Sequence, residues 1–408
     1  MVIQVQSKVI SYVVFLATLT IVLISLVSVV FPSLIVSSVS LHENDFDPFE
    51  PGALMVPLFV VNTILLGIGF AYYKKKLPVT LHRYVERLLN FEISRRVALI
   101  ATIILLTIYI AYTIPELSLN EEEQYPDYQV LKQALVIWPS AESDNLYVKE
   151  QNSRYVRMFL LDTSQKLFQN IKILPFIASI LVVIVTYFFT YQISRKRFAG
   201  IASMAVLLQS YTFLKYDTIA VYENFWVLFY LMSLYVISKR WYLSAVFYLF
   251  SVFTKAFSAP FVLMNIFFVY RSNLGKRKNV TMISYGIVIS VMLLIFWFSD
   301  TIYNDIIRFK ISEFWIGFTA WSYQMILDKL IILTILPLTI ALFLTSKRGI
   351  KEADSILILF FGTLLVGPIL ALLTDFYFIL PYRFVPFIVF FAVGVGVFLS
   401  KNHSKIGL

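Results

Sequence analysis

The chain has 408 residues, of which 59% are hydrophobic and only 14% charged, and its mean hydropathy is +0.80. Soluble domains carry about 25% charged residues, so this composition indicates a protein that crosses a membrane several times. The net charge of +10 comes from basic residues in short loops between apolar runs, and we expect no nucleic-acid partner. The absence of cysteine excludes disulfides, thiolate metal sites, cysteine nucleophiles and iron–sulfur chemistry.

Apolar runs of spanning or near-spanning length follow one another along the whole chain. Because a helix needs about 20 residues to cross the hydrocarbon core, twelve runs qualify or nearly qualify: 9–36, 54–73, 97–114, 171–193, 198–214, 222–238, 241–254, 257–270, 280–298, 330–345, 355–374 and 380–400. The pair 241–254 and 257–270 is short enough for a hairpin that does not fully cross. The sequence predicts an all-α fold, a polytopic transmembrane helix bundle of about 12 (10–13) helices.

The loops between these runs divide by charge. With the N-terminus inside and the runs alternating, the basic loops fall on the cytoplasmic side, at 74–96, 194–197, 239–240, 271–279, 346–354 and the tail from 401. Most acids fall in the opposite loops, at 41–52, 115–170, 215–224, 254–257, 299–329 and 374–378. This distribution satisfies the positive-inside rule. It predicts an integral multi-pass protein of the cell membrane with both termini in the cytoplasm.

The longest predicted extracytoplasmic loop, 115–170, opens with the acidic stretch NEEEQYPDYQ (120–129). Two later stretches place apolar residues at helical spacing, YQVLKQALVIW (128–138) and SRYVRMFLLDTSQKLFQNI (153–171). Both are predicted to be short amphipathic helices that lie at the membrane interface with the apolar face down. The three histidines are far apart in the sequence, in predicted loops or the tail, so a histidine metal site is not expected: His42, His82 and His403.

Charged residues that border membrane spans mark function by default, because they are costly to place there. Four groups are predicted at the extracytoplasmic surface: Glu121, Glu122, Glu123 and Asp127; Lys215, Asp217 and Glu223; Lys255; and Asp375 with Arg383. Acids and bases at one interface suit a reaction on a phosphate-linked substrate. A carboxylate could act as general base toward an acceptor hydroxyl, and the cations could hold a phosphate leaving group.

Each of these charges also has an ordinary structural explanation. A run of glutamates is usually a solvated surface, and Glu123 fits that explanation best. Lys255 and Arg383 could extend to the headgroups as interfacial anchors. Asp217 could cap the helix that follows it, and Glu223 at a helix start would favour the positive end of the helix dipole. For each of these residues taken alone, a structural role and a functional role both remain open.

Three stretches nevertheless follow one another in a distinctive order. EEEQYPD (121–127) opens the long loop after a predicted membrane helix. Farther on, a charged turn leads into a helix that begins near Glu223, and a hairpin then turns at Lys255. In YFILPYRFVPFIVFFAVGVGVFL (377–399), an aromatic residue and a proline follow Arg383 at the head of the last run.

From residue 97 onward, this order resembles the GT-C superfamily of integral-membrane glycosyltransferases, in particular its mannosyltransferase-like members, which use sugars linked to polyprenyl phosphate. By that resemblance, Glu121 and Glu122 take the acidic pair of the family's loop motif, Tyr125 its aromatic residue and Asp127 its trailing acid. The motif here opens with Glu where the family typically has Asp. Residues 1–96, a helix pair with a basic cytoplasmic segment, have no role in the family, whereas 97–408 would form the catalytic module.

The resemblance implies that a sugar passes from a polyprenyl-phosphate donor to a glycan, lipid or protein acceptor on the extracytoplasmic face. The expected catalytic carboxylates are Glu122, Asp127 and Glu121. The expected substrate-binding residues are Tyr125, Lys215, Asp217, Glu223, Lys255 and Arg383, with Lys255 and Arg383 placed on the phosphate. Membrane lipids would surround the donor. Carboxylates and water suit Mg²⁺ or Mn²⁺, and the sequence leaves open whether a divalent cation takes part.

Two other interpretations stay open at this point. A transporter or lipid flippase would also have about twelve helices, but it should carry ionisable residues at mid-membrane depth and broken helices in paired halves. A non-enzymatic membrane subunit of a larger complex would explain why the motifs are short and degenerate. The position of the charged residues in the fold discriminates between these interpretations, because an enzyme requires them around one cavity.

Overall fold

The computed structural model describes residues 2–34, 47–122, 124–140, 144–298, 309–374 and 380–400. These ranges contain eighteen α-helices and no β-strand. The first nine are α1 (Val2–Val30), α2 (Met55–Tyr73), α3 (Val79–Asn90), α4 (Arg95–Thr113), α5 (Asp127–Ile137), α6 (Leu146–Asn152), α7 (Tyr155–Phe168), α8 (Ile173–Ser194) and α9 (Arg197–Leu208). The others are α10 (Tyr211–Lys215), α11 (Phe225–Val236), α12 (Trp241–Thr254), α13 (Val262–Arg271), α14 (Arg277–Phe298), α15 (Ile311–Tyr323), α16 (Lys329–Lys347), α17 (Glu352–Thr374) and α18 (Val385–Phe398).

Eight helices of the described ranges are long and apolar enough to cross a membrane. They lie at Lys8–Val30, Met55–Tyr73, Arg95–Ser118, Ile173–Ser194, Arg277–Leu294, Lys329–Lys347, Glu352–Leu373 and Pro381–Phe398. The prediction of an all-α, multi-pass membrane protein is therefore confirmed in its coarse form. The other four predicted runs form shorter apolar helices, at Arg197–Leu208, Phe225–Val236, Trp241–Thr254 and Ala256–Arg271. Twelve crossings stay a prediction.

The predicted run 198–214 shows why apolar runs and helices differ in length. Helix α9 ends at Leu208, and the hydroxyl oxygen of Ser210 accepts a hydrogen bond from the amide of Phe213 at 3.0 Å, which starts α10. The serine cap starts a new helix, whereas the two polar residues Gln209 and Ser210 are too few to divide the apolar run in the sequence. Likewise the predicted loop 299–329 contains α15, which packs against α17 because Gly317 lets the two helices approach closely.

The last helix, α18, lies at the centre of the bundle. Its side chains are buried nearly all round, and α8, α9, α16 and α17 pack against it. A helix that is apolar on every side needs such a position in the interior. Close contact with α8 and α9 depends on Gly396, since a Cβ there would lie 2.2 Å from Cγ2 of Thr190 and 2.7 Å from the carbonyl oxygen of Ala199.

Helix α1 is part of the same bundle. It packs against α15, α16 and α17, and the ring of Phe15 stacks on Phe343 at a centroid distance of 4.1 Å. The hydroxyl of Thr18 donates to the carbonyl oxygen of Leu357 at 3.1 Å. The boundary proposed at residue 96 therefore stays a prediction about function, because the N-terminal helix shares its packing with the C-terminal ones.

The bundle has two ends that differ in their residues. We call one the loop end: it carries the segment 115–170 with α5, α6 and α7, the turn 215–224 and the start of α18. The other we call the basic end. There the Lys196 ammonium donates to the carbonyl oxygens of Leu89 and Leu399, which holds the segment 74–96 against the end of α18. The helical stretches predicted within 115–170 are present as α5 and α7.

Candidate functional site

Two tyrosines from distant parts of the chain stack at the loop end. Tyr222 lies in the turn before α11, and Tyr382 lies in the 3-10 turn before α18. Their ring centroids are 4.2 Å apart and their planes are inclined by 17°. Tyr216 packs edge-on against both rings at 5.9 Å, and Tyr125 packs edge-on against Tyr222 at 5.1 Å. This tyrosine stack joins the acidic motif to the head of the last helix.

A carboxylate borders the stack on the side of Tyr222. The hydroxyl of Tyr222 donates to Oδ2 of Asp127 at 3.0 Å. Asp127 is exposed and opens α5, where the positive end of the helix dipole favours an anion. The trailing acid of the predicted motif therefore has one oxygen bound to the stack while the residue itself faces open space.

Cations border the stack on the side of Tyr382. The Lys255 ammonium lies 3.9 Å from the centroid of the Tyr382 ring and 5.6 Å from that of Trp226. Nε of Arg383 donates to the Tyr382 hydroxyl at 3.1 Å. Arg154, at the start of α7, forms an ion pair with Glu150 and is also close enough to interact electrostatically with both Tyr382 and Lys255. We call Arg154, Lys255 and Arg383 the cationic cluster.

Burial weakens the charged form of Lys255. The side chain is 6% exposed, in the turn that follows α12, and burial lowers the pKa of its ammonium to about 8. The ring face of Tyr382 partly compensates through a cation–π contact. An anion that entered beside Lys255 would restore the stability of the charged ammonium.

A buried ion pair holds the turn that carries Tyr222. Nε of Arg157 on α7 donates to Oε2 of Glu223 at 2.9 Å, and both side chains are 1% exposed. The same guanidinium donates to the carbonyl oxygens of Ala220 at 3.3 Å and Val221 at 2.9 Å. Burial lowers the pKa of Arg157, and Glu223 opposes that shift.

Glu121 holds the same two residues through their amides. Its side chain is 3% exposed, with Oε1 accepting from the amide of Ala220 at 2.8 Å and Oε2 from the amide of Val221 at 3.4 Å. Burial raises the pKa of Glu121, and these hydrogen bonds oppose the shift. The turn that presents Tyr222 is thus fixed by a carboxylate on its N–H groups and by Arg157 on its C=O groups.

Asp217 faces the bundle instead of the stack. It is fully buried, and its Oδ2 accepts from the hydroxyl of Thr113 at 3.1 Å. Its own carbonyl oxygen accepts from the hydroxyl of Ser179 at 2.7 Å. Burial raises the pKa of Asp217 to about 7, although the hydroxyl of Thr113 lowers it. The predicted substrate-binding residue therefore anchors the turn to α4 and α8.

Two predicted residues lie at the edges of the loop end. The carboxylate of Glu122 pairs with the Lys132 ammonium on partly exposed surface, away from the turn that Glu121 holds. Lys215 is exposed, and its ammonium lies 5.8 Å from the ring centroids of Tyr211 and Tyr216. Two other residues of the predicted groups, Glu123 and Asp375, lie outside the described residues.

The described carboxylates are not arranged as a metal site. Glu121 binds backbone amides, Glu223 binds Arg157, and Asp127 binds Tyr222. In the described part of the chain, no group of three or more histidine or acidic residues could hold a metal ion.

Sequence reasoning missed several residues of the site, above all Arg154, Arg157 and Tyr382. The two arginines are three residues apart, which places them on neighbouring parts of one helical surface among apolar residues. That spacing indicates two cations on one helical surface, of which the structure buries Arg157 and leaves Arg154 partly exposed.

No family model, curated protein or solved structure matches this chain.

Proposed function

We propose that this protein is a membrane glycosyltransferase that moves a sugar from a polyprenyl-phosphate donor to an acceptor hydroxyl. The observation that carries the proposal is the tyrosine stack, with Asp127 on one side and the cationic cluster on the other. A base and an anion site at opposite sides of one surface are the two groups that this transfer needs.

The cationic cluster is the proposed phosphate site. Guanidinium groups bind phosphate oxygens with paired, charge-assisted hydrogen bonds, and an ammonium adds a compact charge. Lys255 is buried among aromatic rings, so a phosphate there would meet a cation in an environment that strengthens electrostatic attraction. The apolar surroundings of the bundle would accept the polyprenyl chain.

Asp127 is the proposed general base. It would take the proton of the acceptor hydroxyl as the acceptor oxygen forms its bond to the anomeric carbon. The bond between the anomeric carbon and the phosphate oxygen then breaks, and polyprenyl phosphate leaves with the electron pair. Glu122 stays the second predicted carboxylate, on the exposed side, whereas the contacts of Glu121 favour a positioning role.

The proposal places the loop end on the extracytoplasmic side and both termini in the cytoplasm. Support comes from the basic loops, which would all lie at the opposite end of the bundle. The donor would then enter sideways from the outer leaflet. Oligomeric partners are not needed for this chemistry, because one chain supplies both the carboxylate and the cations.

The test is a transfer assay with the purified full-length protein and radiolabelled polyprenyl-phosphate sugars. We expect wild-type protein to transfer label, Asp127→Asn to lose about 100-fold or more of the rate, and Lys255→Gln to lose transfer with a raised apparent KM for the donor. Lys166→Gln, which removes an exposed cation paired with Asp162 on α7, should behave as wild type. Thermal unfolding of each variant separates lost chemistry from lost structure. Undiminished transfer by folded Asp127→Asn and Lys255→Gln, or no transfer by wild type across the sugar panel, would contradict the proposal.

A further inference from the structure

Helix α3 carries an apolar stripe that is largely exposed, although Phe91 at its end packs edge-on against Phe198 at a ring-centroid distance of 4.9 Å. Leu81, Tyr84 and Leu88 recur at helical spacing, and Phe91 extends the row just past the helix end. All four are exposed, and no residue of α3 is fully buried. An exposed row of large apolar side chains on a twelve-residue helix indicates a surface that another phase or molecule covers.

The same segment concentrates positive charge. Its basic residues are exposed without exception: Lys74, Lys75, Lys76, Arg83, Arg87, Arg95 and Arg96. The two acids of the segment, Glu86 and Glu92, offset only two of its seven positive charges. A basic polar face beside an apolar face is the pattern of a helix that lies on an anionic membrane surface.

The position of α3 fits that orientation. The helix follows α2 and precedes α4, and both neighbours are long and apolar enough to span a membrane. It is also held to the bundle, since the Leu89 carbonyl accepts from Lys196 and the His82 ring stacks on Tyr72 at 5.1 Å. A helix of this length is about 18 Å long, too short to cross, and its attachment keeps it at the level where two spans end.

We propose that segment 74–96 is an interfacial anchor that binds anionic phospholipid headgroups at the basic end. The apolar stripe enters the boundary between headgroups and acyl chains. The basic residues on either side bind the lipid phosphates. This inference is independent of the proposed glycosyltransferase activity, because it uses no residue of the loop end.

The chain has no cysteine, so single labelled cysteines report on this surface in the full-length protein. A fluorophore on Leu88→Cys would be followed in vesicles of phosphatidylcholine and phosphatidylglycerol, with bromine quenchers on the acyl chains of only one of the two lipids. At equal bromine content, we expect brominated phosphatidylglycerol to quench more than about twofold better. Replacing Arg83 and Arg87 with Gln should bring the two quenching efficiencies together.

Two control positions make the result specific. Asn90→Cys, on the polar face of α3, should be quenched weakly by either lipid. Val136→Cys, on an exposed surface of α5 at the loop end, should show no preference for the anionic lipid. If Leu88→Cys does not fold, Leu81→Cys reports on the same stripe. Equal quenching by both lipids at the stripe, or quenching no stronger than at Asn90→Cys, would overturn the proposal.

Discussion

The two ends of this bundle use charged residues in opposite ways. At the loop end Asp127 is exposed, but five other charged residues are buried and contact partners: Glu121, Arg157, Asp217, Glu223 and Lys255. At the basic end most cations are exposed, and the buried exceptions include Lys196 and the pair of Arg271 with Asp354, which ties α13 to α17. Even when a buried charge is paired, its desolvation often costs more free energy than the pair gains, so the buried charges of the loop end fix one geometry at the expense of stability. Exposed charges are instead free to interact electrostatically with the surroundings of the protein.

The fixed geometry at the loop end is the turn that presents Tyr222. Its backbone is bound on the amide side by Glu121 and on the carbonyl side by Arg157. A site that must bind an anion gains from donors and cations held in place before the ligand arrives. The comparison therefore predicts large effects from buried charges of the loop end and small effects from exposed charges of the basic end.

The largest effect is expected from Arg157→Gln. This change leaves Glu223 buried without its cation and removes hydrogen bonds to two carbonyl groups, so the free energy of unfolding should fall by about 3–5 kcal/mol. Denaturant unfolding in detergent measures it. Lys166→Gln should cost less than about 1 kcal/mol, and the double change Arg157→Gln with Glu223→Gln should recover part of the loss. Equal costs for Arg157→Gln and Lys166→Gln, which lie on the same helix, would contradict the expected difference between buried and exposed charges.

A pH effect of similar size is expected from Asp217. Because burial raises its folded-state pKa to about 7, above the ordinary value of 3.8, the folded protein binds the proton more tightly than the unfolded chain. Its contribution to stability is fully present below about pH 4 and is lost as the pH rises through 7. Asp217→Asn should remove a pH dependence on the order of a few kcal/mol. An identical pH–stability curve for this variant would show that Asp217 is not buried as described.

The adjacent residues Glu121 and Glu122 should differ in their contribution to the free energy of unfolding. Glu121→Gln should lower the free energy of unfolding by about 1–3 kcal/mol, because its buried oxygens accept two backbone amides. Glu122→Gln should change it by less than about 1 kcal/mol, because its partner Lys132 is exposed. Each change removes one negative charge at neighbouring positions, so a difference between their effects cannot come from the net charge. A larger effect at Glu122 would reverse the assignment of the inward-facing carboxylate.

The smallest effect is expected at the basic end. Arg87→Gln removes an exposed cation of α3, so the free energy of unfolding in neutral detergent should change by no more than about 0.5 kcal/mol. Thermal unfolding in detergent and in vesicles with anionic lipid separates folding from membrane binding. A large loss in neutral detergent would mean that this end, like the loop end, depends on its charges for its own structure.

The sequence predicts the positions of the helices better than it predicts the contacts that their side chains make. Hydropathy locates the apolar runs because burial in lipid or in a bundle requires them, but it does not locate the Ser210 cap that divides one run. The acidic motif shows that carboxylates cluster, yet it cannot say that Glu121 turns inward while Glu122 turns outward, since irregular backbone has no period. The pair Arg157–Glu223 joins residues 66 positions apart and leaves no local pattern.

The proposed function requires the cationic cluster to bind the phosphate of a lipid carrier. The most direct test is equilibrium binding of a polyprenyl monophosphate and of the prenyl alcohol of the same chain length to the purified protein. We expect tighter binding of the phosphate, and loss of that preference in Lys255→Gln and Arg383→Gln, whereas Lys239→Gln at the other end should keep it. Equal affinity for phosphate and alcohol in the wild-type protein, or an undiminished preference in both cluster variants, would contradict it.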